Sequence, residues 1–163
     1  LDASVENYAV SGAVTADLPA QLARAKRTQY DLIEIQIGAN DVMRVSSLSD
    51  AAAELDAFLA SIVSLSEHRV LLTAGDVGNS PVFPWPLNWL VSYRTRVLRE
   101  HFMELAAKHD VAYVDIYTAP DIISSDVARY HAADGLHLSA EGYGYWFELV
   151  RETLGRWPSL VGR

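Results

Sequence analysis

Asp31-Leu32-Ile33-Glu34-Ile35-Gln36-Ile37-Gly38-Ala39-Asn40-Asp41 is the stretch that decides the fold. Its first seven residues are rich in β-branched side chains, which suit a pleated strand. Gly38-Ala39-Asn40-Asp41 then breaks the run. Next comes a helix: Ser47 with Asp50 three residues on resembles a capping box, and Leu55, Phe58, Leu59, Ile62 and Leu65 recur along one side. The same unit repeats downstream. Residues 69–73 predict a second strand, closed by Ala74-Gly75, and a helix over about 88–109 carries Tyr93, Val97, Leu98, Phe102 and Leu105 as its stripe. Residues 111–116 predict the last strand. Ser139 then caps a final helix with Tyr143, Trp146, Phe147, Val150 and Leu154 at three- and four-residue spacing. Upstream, residues 5–10 read as a short strand ending at Ser11-Gly12. A helix capped by Thr15 or Asp17 follows to about Lys26, with Pro19 tolerated in its first turn. Strand and helix thus alternate throughout, which implies a three-layer α/β/α fold around a parallel sheet. Neither repeat nor linker divides the 163 residues, so they form one domain.

Half the residues are hydrophobic and the mean hydropathy is near zero, as a domain with a sizeable core requires. No apolar run is long enough to span a bilayer. The N-terminus lacks the basic and apolar regions of a signal peptide. The chain has no cysteine, which fits a reducing compartment and weakly favours the cytoplasm. A formal charge of −8 argues against nucleic acid as a partner, since phosphate binding needs a basic face. The two basic clusters, Arg24/Lys26/Arg27 and Arg94/Arg96/Arg99, are expected on solvated helix faces.

In such sheets ligands sit beyond the carboxyl ends of the strands. Polar punctuation falls there four times: at Gly12, at Asn40, in the proline-rich loop 76–88, and in His131-Ala132-Ala133-Asp134-Gly135-Leu136-His137. Asp134 and His137 stand on a loop at the mouth of the last helix. A histidine oriented by a nearby carboxylate is the base half of a nucleophilic hydrolase. Phe83 and Trp85, in the loop with three prolines, are candidate walls of a substrate pocket. His131, Asp134 and His137 share a spacing that also prompts a metal reading, but a loop gives it no helical face and no fourth ligand is evident; no metal or other cofactor is expected.

Taken together these blocks resemble the SGNH hydrolases, the GDSL-type esterase and lipase family. Val-Ser-Gly-Ala-Val-Thr (10–15) is similar to the family's second block, Ile-Gly-Ala-Asn-Asp (37–41) to its third, and Ala-Asp-Gly-Leu-His-Leu-Ser (133–139) to its fifth, with Leu138 where proline is common. The resemblance implies an SGNH-hydrolase/flavodoxin-like sheet and hydrolysis of small-molecule carboxylic esters through an acyl-enzyme, without a cofactor. It makes His137 the base, Asp134 its orienting partner, and the Gly12 N–H and Asn40 amide the oxyanion donors. Asp41 is expected to fix its loop by a hydrogen bond.

The first block, Gly-Asp-Ser at the end of the family's first strand, is absent, as is any Gly-x-Ser-x-Gly elbow. Ser4 and Ser11 are poor substitutes, one ahead of the first run and the other in the ordinary position before Gly12. The expectation is a domain truncated at its N-terminus, with the nucleophile outside these residues and a strand missing between 5–10 and 31–37. Unpaired edges there would invite self-association. The alternatives are an inactive binding module of the same fold and a metal-dependent hydrolase.

Overall fold

The computed structural model describes residues 4–118 and 122–161. Residues 1–3, 119–121 and 162–163 lie outside the described residues. A 3-10 turn at Thr15–Asp17 runs into helix α1 (Leu18–Leu22). Strand β1 (Ile33–Gln36) is followed by α2 (Ala39–Met43) and α3 (Leu48–Ser61). Strand β2 (Arg69–Leu72) leads through the proline-rich loop to α4 (Leu87–Lys108). After β3 (Ala112–Val114) come the short helices α5 (Ile122–Ser125) and α6 (Val127–Tyr130). Helices α7 (Ala140–Leu154) and α8 (Pro158–Val161) close the chain.

The three strands form one parallel sheet in the order β1-β2-β3. All four residues of β2 are buried, as expected where helices cover both faces of a parallel sheet. Alternation along the strand divides the core. Ile35 and Leu71 face one cluster with Leu55, Leu59 and Ile62 of the α3 segment and Leu98 and Phe102 of α4. Val70, Leu72 and Val114 face the other, with Trp146, Leu149 and Val150 of α7. The structure therefore has the three layers that the strand–helix alternation implies.

Residues 5–10 correct the expected first strand. They are in no ladder, and Val5 is 84% exposed. A strand exists only through a neighbour's backbone, and none is hydrogen-bonded to this run or to the free edge of β1 among the described residues. The gap between 5–10 and β1 is not closed. The first helix is also shorter than expected, ending at Leu22 instead of about Lys26.

Two helix stripes are corrected as well. On α7 Tyr143 and Phe147 are exposed, while Leu149, outside the expected stripe, packs on the core. On α4 the buried face runs Val91, Thr95, Leu98, Phe102 and Ala106, and Tyr93 lies in solvent. Of the cluster Arg94/Arg96/Arg99, two arginines are not on a solvated face. Arg94 donates to the carbonyls of Asp41, Val42 and Ser46 at 3.1, 3.0 and 2.6 Å, clamping the end of α2. Arg99 is paired with Asp115.

Candidate active site

A cavity of about 510 Å3 opens beyond the carboxyl ends of the strands, lined by Asn40, Asp76, Ser80, Tyr117, His137 and Tyr143 among others. Ser139 makes it possible locally. Its hydroxyl accepts from the Gly142 N–H at 3.2 Å and starts α7, so the preceding loop is held against a fixed helix end. An antiparallel bridge from His131 to Leu138 closes that loop on itself.

Inside the loop Asp134 organises the turn. One carboxylate oxygen accepts from the backbone N–H groups of Leu136 and His137, each at 2.9 Å. The other lies 2.6 Å from His137 Nδ1. These bonds, the one to His137 first, pull the Asp134 carboxyl down to about 2. The carboxylate is thus charged at neutral pH and holds the ring by Nδ1, leaving Nε2 to act as base or acid.

Asn40 sits at the start of α2, just after Gly38, whose φ of +108° a residue with a side chain adopts only under strain. A Cβ on Gly38 would also come within 3.1 Å of Leu98 and Phe102. The Asn40 amide lines the cavity and donates to the Ala13 carbonyl at 2.9 Å, which orients it and leaves its second N–H for a ligand. That bond ties the segment bearing Gly12 to α2. Gly12 occupies a turn at φ +79°, with the Arg44 guanidinium packed over it. It does not line the cavity itself.

Asp41 is the deep anchor of this corner. It is only 2% exposed and accepts from the Thr15 N–H at 3.2 Å and from the Thr15 hydroxyl at 2.8 Å. Thr15 also lies 2.8 Å from Glu54. Burial, with the charge of Glu54 adding to it, pushes the Asp41 carboxyl up against the opposing pull of the Thr15 bonds. The residue fixes its loop, as the sequence suggested.

Of the four residues singled out for chemistry, the cavity thus brings together Asn40 and His137. Asp134 stands behind His137, and Gly12 is one residue from the carbonyl that Asn40 holds. Phe83 and Trp85 do not line this cavity. Phe83 packs half-buried on the core, and Trp85 is 83% exposed. Among the described residues no three His, Asp or Glu side chains gather as metal ligands would. Sequence reasoning missed Ser80, which donates to the Gly135 carbonyl and so ties the proline-rich loop to the turn that carries Asp134 and His137. Nothing in its local sequence marks that long-range bond.

The model of the GDSL-like Lipase/Acylhydrolase family matches residues 1–145. A search of curated proteins gives no match. Among solved structures, a lipase/acylhydrolase from Enterococcus faecalis is 26% identical with a TM-score of 0.64, over 89% of this chain and 72% of that one. The acetylxylan esterase Axe2 from Geobacillus stearothermophilus is 20% identical with a TM-score of 0.65, over 89% and 69% of the two chains. Phospholipase A1 from Streptomyces albidoflavus NA297 is likewise 20% identical with a TM-score of 0.65, over 88% and 77%; the last two likenesses concern the fold. With a family match that covers most of its length, the chain belongs to the GDSL-like lipase/acylhydrolase family.

Proposed function

We propose that this chain carries the base and oxyanion halves of a serine esterase, and that the nucleophilic serine comes from an N-terminal strand and helix outside the 163 residues. One observation carries the reading: a carboxylate-held imidazole and an oriented side-chain amide, His137 and Asn40, line one cavity. In the reaction His137 Nε2 takes the serine proton as the oxygen attacks the ester carbonyl, then gives it to the departing alcohol. Water repeats the sequence to release the acid. Asp134 stabilises the imidazolium between the two steps. The Asn40 amide receives the oxyanion, and the loss of such a donor costs roughly 10²–10³ in kcat; the Gly12 N–H, outside the cavity wall, would join it only once the nucleophile strand is in place. Removing Asn40 therefore lowers kcat far more than it changes KM.

The absence of Gly-Asp-Ser from the sequence and the unpaired edge of β1 support the external nucleophile. Among the serines on the cavity wall, Ser80 donates its proton to a carbonyl, which is no activation at all. The test is hydrolysis of p-nitrophenyl acetate. The 163 residues alone should be inert, and fusion to a Gly-Asp-Ser strand and helix from a relative should restore turnover that His137→Ala abolishes. Hydrolysis by the bare chain that Ser11→Ala removes would overturn the reading.

A further inference from the structure

Gly135 is the hinge of the loop that carries Asp134 and His137. Its φ of +67° lies in the left-handed region, and without a Cβ it can rotate away from there at little steric cost. The peptide between Gly135 and Leu136 is therefore the unit of this turn most easily reoriented. Two bonds meet on that one peptide. Its N–H, on Leu136, donates to the Asp134 carboxylate at 2.9 Å. Its carbonyl, on Gly135, accepts from the Ser80 hydroxyl. A trans peptide is planar, with its N–H and C=O pointing in opposite directions, so fixing the carbonyl from one side aims the N–H on the other. A carbonyl that accepts a hydrogen bond also makes its own N–H a stronger donor.

Ser80 is well placed to supply that fixed point. It is only 7% exposed. Its N–H donates to the Val77 carbonyl, and its carbonyl accepts from the Phe83 N–H, each at 3.1 Å. The 3-10 turn before it, Val77–Asn79, is capped by Asp76, which accepts from the Gly78 N–H at 3.0 Å. Gly78 seats that turn on α4, for a Cβ there would stand 2.6 Å from the Ser92 nitrogen and collide with the Asn88 carbonyl. Pro81, next in the chain, packs on the hinge as well: a Cβ on Gly135 would be 3.3 Å from it. The hydroxyl is thus carried by a segment anchored on α4, not by the loop that it holds.

We infer that Ser80 is a positioning residue for the His137 base: by holding the Gly135 carbonyl it aims the Leu136 N–H at Asp134, which keeps the carboxylate on His137 Nδ1 and leaves Nε2 free. This role presupposes His137 as the base, the reading proposed above. The relay from Ser80 to the imidazole can be measured without a nucleophile, so the two ideas fail separately.

The test compares Ser80→Ala with Ser66→Ala in the 163-residue chain. Ser66 is a matched control: it is 6% exposed, its hydroxyl bonds the His68 backbone, and it precedes β2, at the end of the sheet away from the cavity. Both substitutions should lower the melting temperature modestly. Only Ser80→Ala should speed exchange of the Leu136 amide, by roughly fivefold. Only Ser80→Ala should move the neutral His137 ring, read by nitrogen NMR above the histidine titration range, from the Nδ1–H tautomer towards a mixture with Nε2–H. In the chain fused to a Gly-Asp-Ser strand and helix, Ser80→Ala should lower kcat by about tenfold and change KM little, and Ser66→Ala should leave both as they are. An unchanged Leu136 amide and His137 tautomer in Ser80→Ala would overturn the inference. So would the same changes in Ser66→Ala, because Ser80 would then act only through general stability. A fused chain without turnover would refute the nucleophile reading, and the tautomer would still decide the part played by Ser80.

Discussion

The Asp134–His137 pair shows how local bonding sets protonation. His137 and two backbone N–H groups depress the Asp134 carboxyl to about 2. A depressed carboxyl stabilises the turn fully above its ordinary value of 3.8 and loses that effect as the pH falls toward 2. A titration followed by the Asp134 carboxyl carbon resonance should therefore find a midpoint near 2, with the Leu136 and His137 amides moving in step. His137→Ala should raise the midpoint; a midpoint near 4 in the parent chain would show the pair unformed in solution. Asp41 responds to the opposite force. Because burial raises its carboxyl, ionising it in the folded chain becomes a growing burden as the pH rises above 3.8. Its bonds to Thr15 still outweigh that burden when the alternative is an empty site. Asp41→Ala leaves the buried Thr15 N–H without an acceptor and should cost about 1–3 kcal/mol in urea unfolding. Asp41→Asn keeps one acceptor and should cost less. The Gly-x-Asn-Asp block was legible because it directly ends the β-branched run that positions it, although its bonding partners Ala13 and Thr15 lie 27 and 26 residues away. Ser80 and Arg94 were not, because their partners lie 55 residues away at Gly135 and 48 away at Ser46.

Among the elements, α7 offers a controlled comparison within a single helix. Glycine inside a helix ordinarily costs about 1 kcal/mol relative to alanine, so Gly→Ala should stabilise wherever there is room. Gly144 has nothing within 4 Å of an added Cβ, and Gly144→Ala should gain roughly 0.5–1 kcal/mol. Gly142 is different. A Cβ there would lie 2.5 Å from the Tyr130 carbonyl oxygen and 2.9 Å from the Leu138 Cβ. Gly142→Ala should therefore destabilise by about 1–3 kcal/mol and push the start of α7 away from the loop that carries Asp134 and His137. Parallel urea melts of the two variants should move in opposite directions, and stabilisation by both would mean that the packing between α6 and α7 is loose in solution. Periodicity identified both long helices but misassigned parts of their faces. Tyr93, Tyr143 and Phe147 fit a 3.6-residue repeat as well as the true core residues do. Which stripe is buried depends on what stands opposite, and the sequence of the helix does not contain that.

At the scale of the whole molecule the open question is the free side of the sheet. The alternation of strands and helices was legible because each apolar run is bounded by its own turn residues. The loss of the expected strand at 5–10 was not, because pairing belongs to two segments at once. The backbone makes the consequence measurable. Ile33 and Ile37 donate their N–H groups to His68 and Leu72 of the β2 side, at 3.0 and 3.4 Å. In a parallel ladder the bonds alternate along the strand, so the amides of Glu34 and Gln36 point to the opposite edge, which has no ladder partner among the described residues. Hydrogen exchange on the 163-residue chain should therefore find Ile33, Ile35 and Ile37 protected and Glu34 and Gln36 exchanging much faster. Fusion to the Gly-Asp-Ser strand and helix should protect Glu34 and Gln36 as well, in the same samples in which hydrolysis appears. Protection of those two amides in the bare chain at low concentration would place a neighbour on that edge already and remove the seat proposed for the nucleophile strand. Protection that grows with protein concentration would instead identify the edge as the route by which the chains associate.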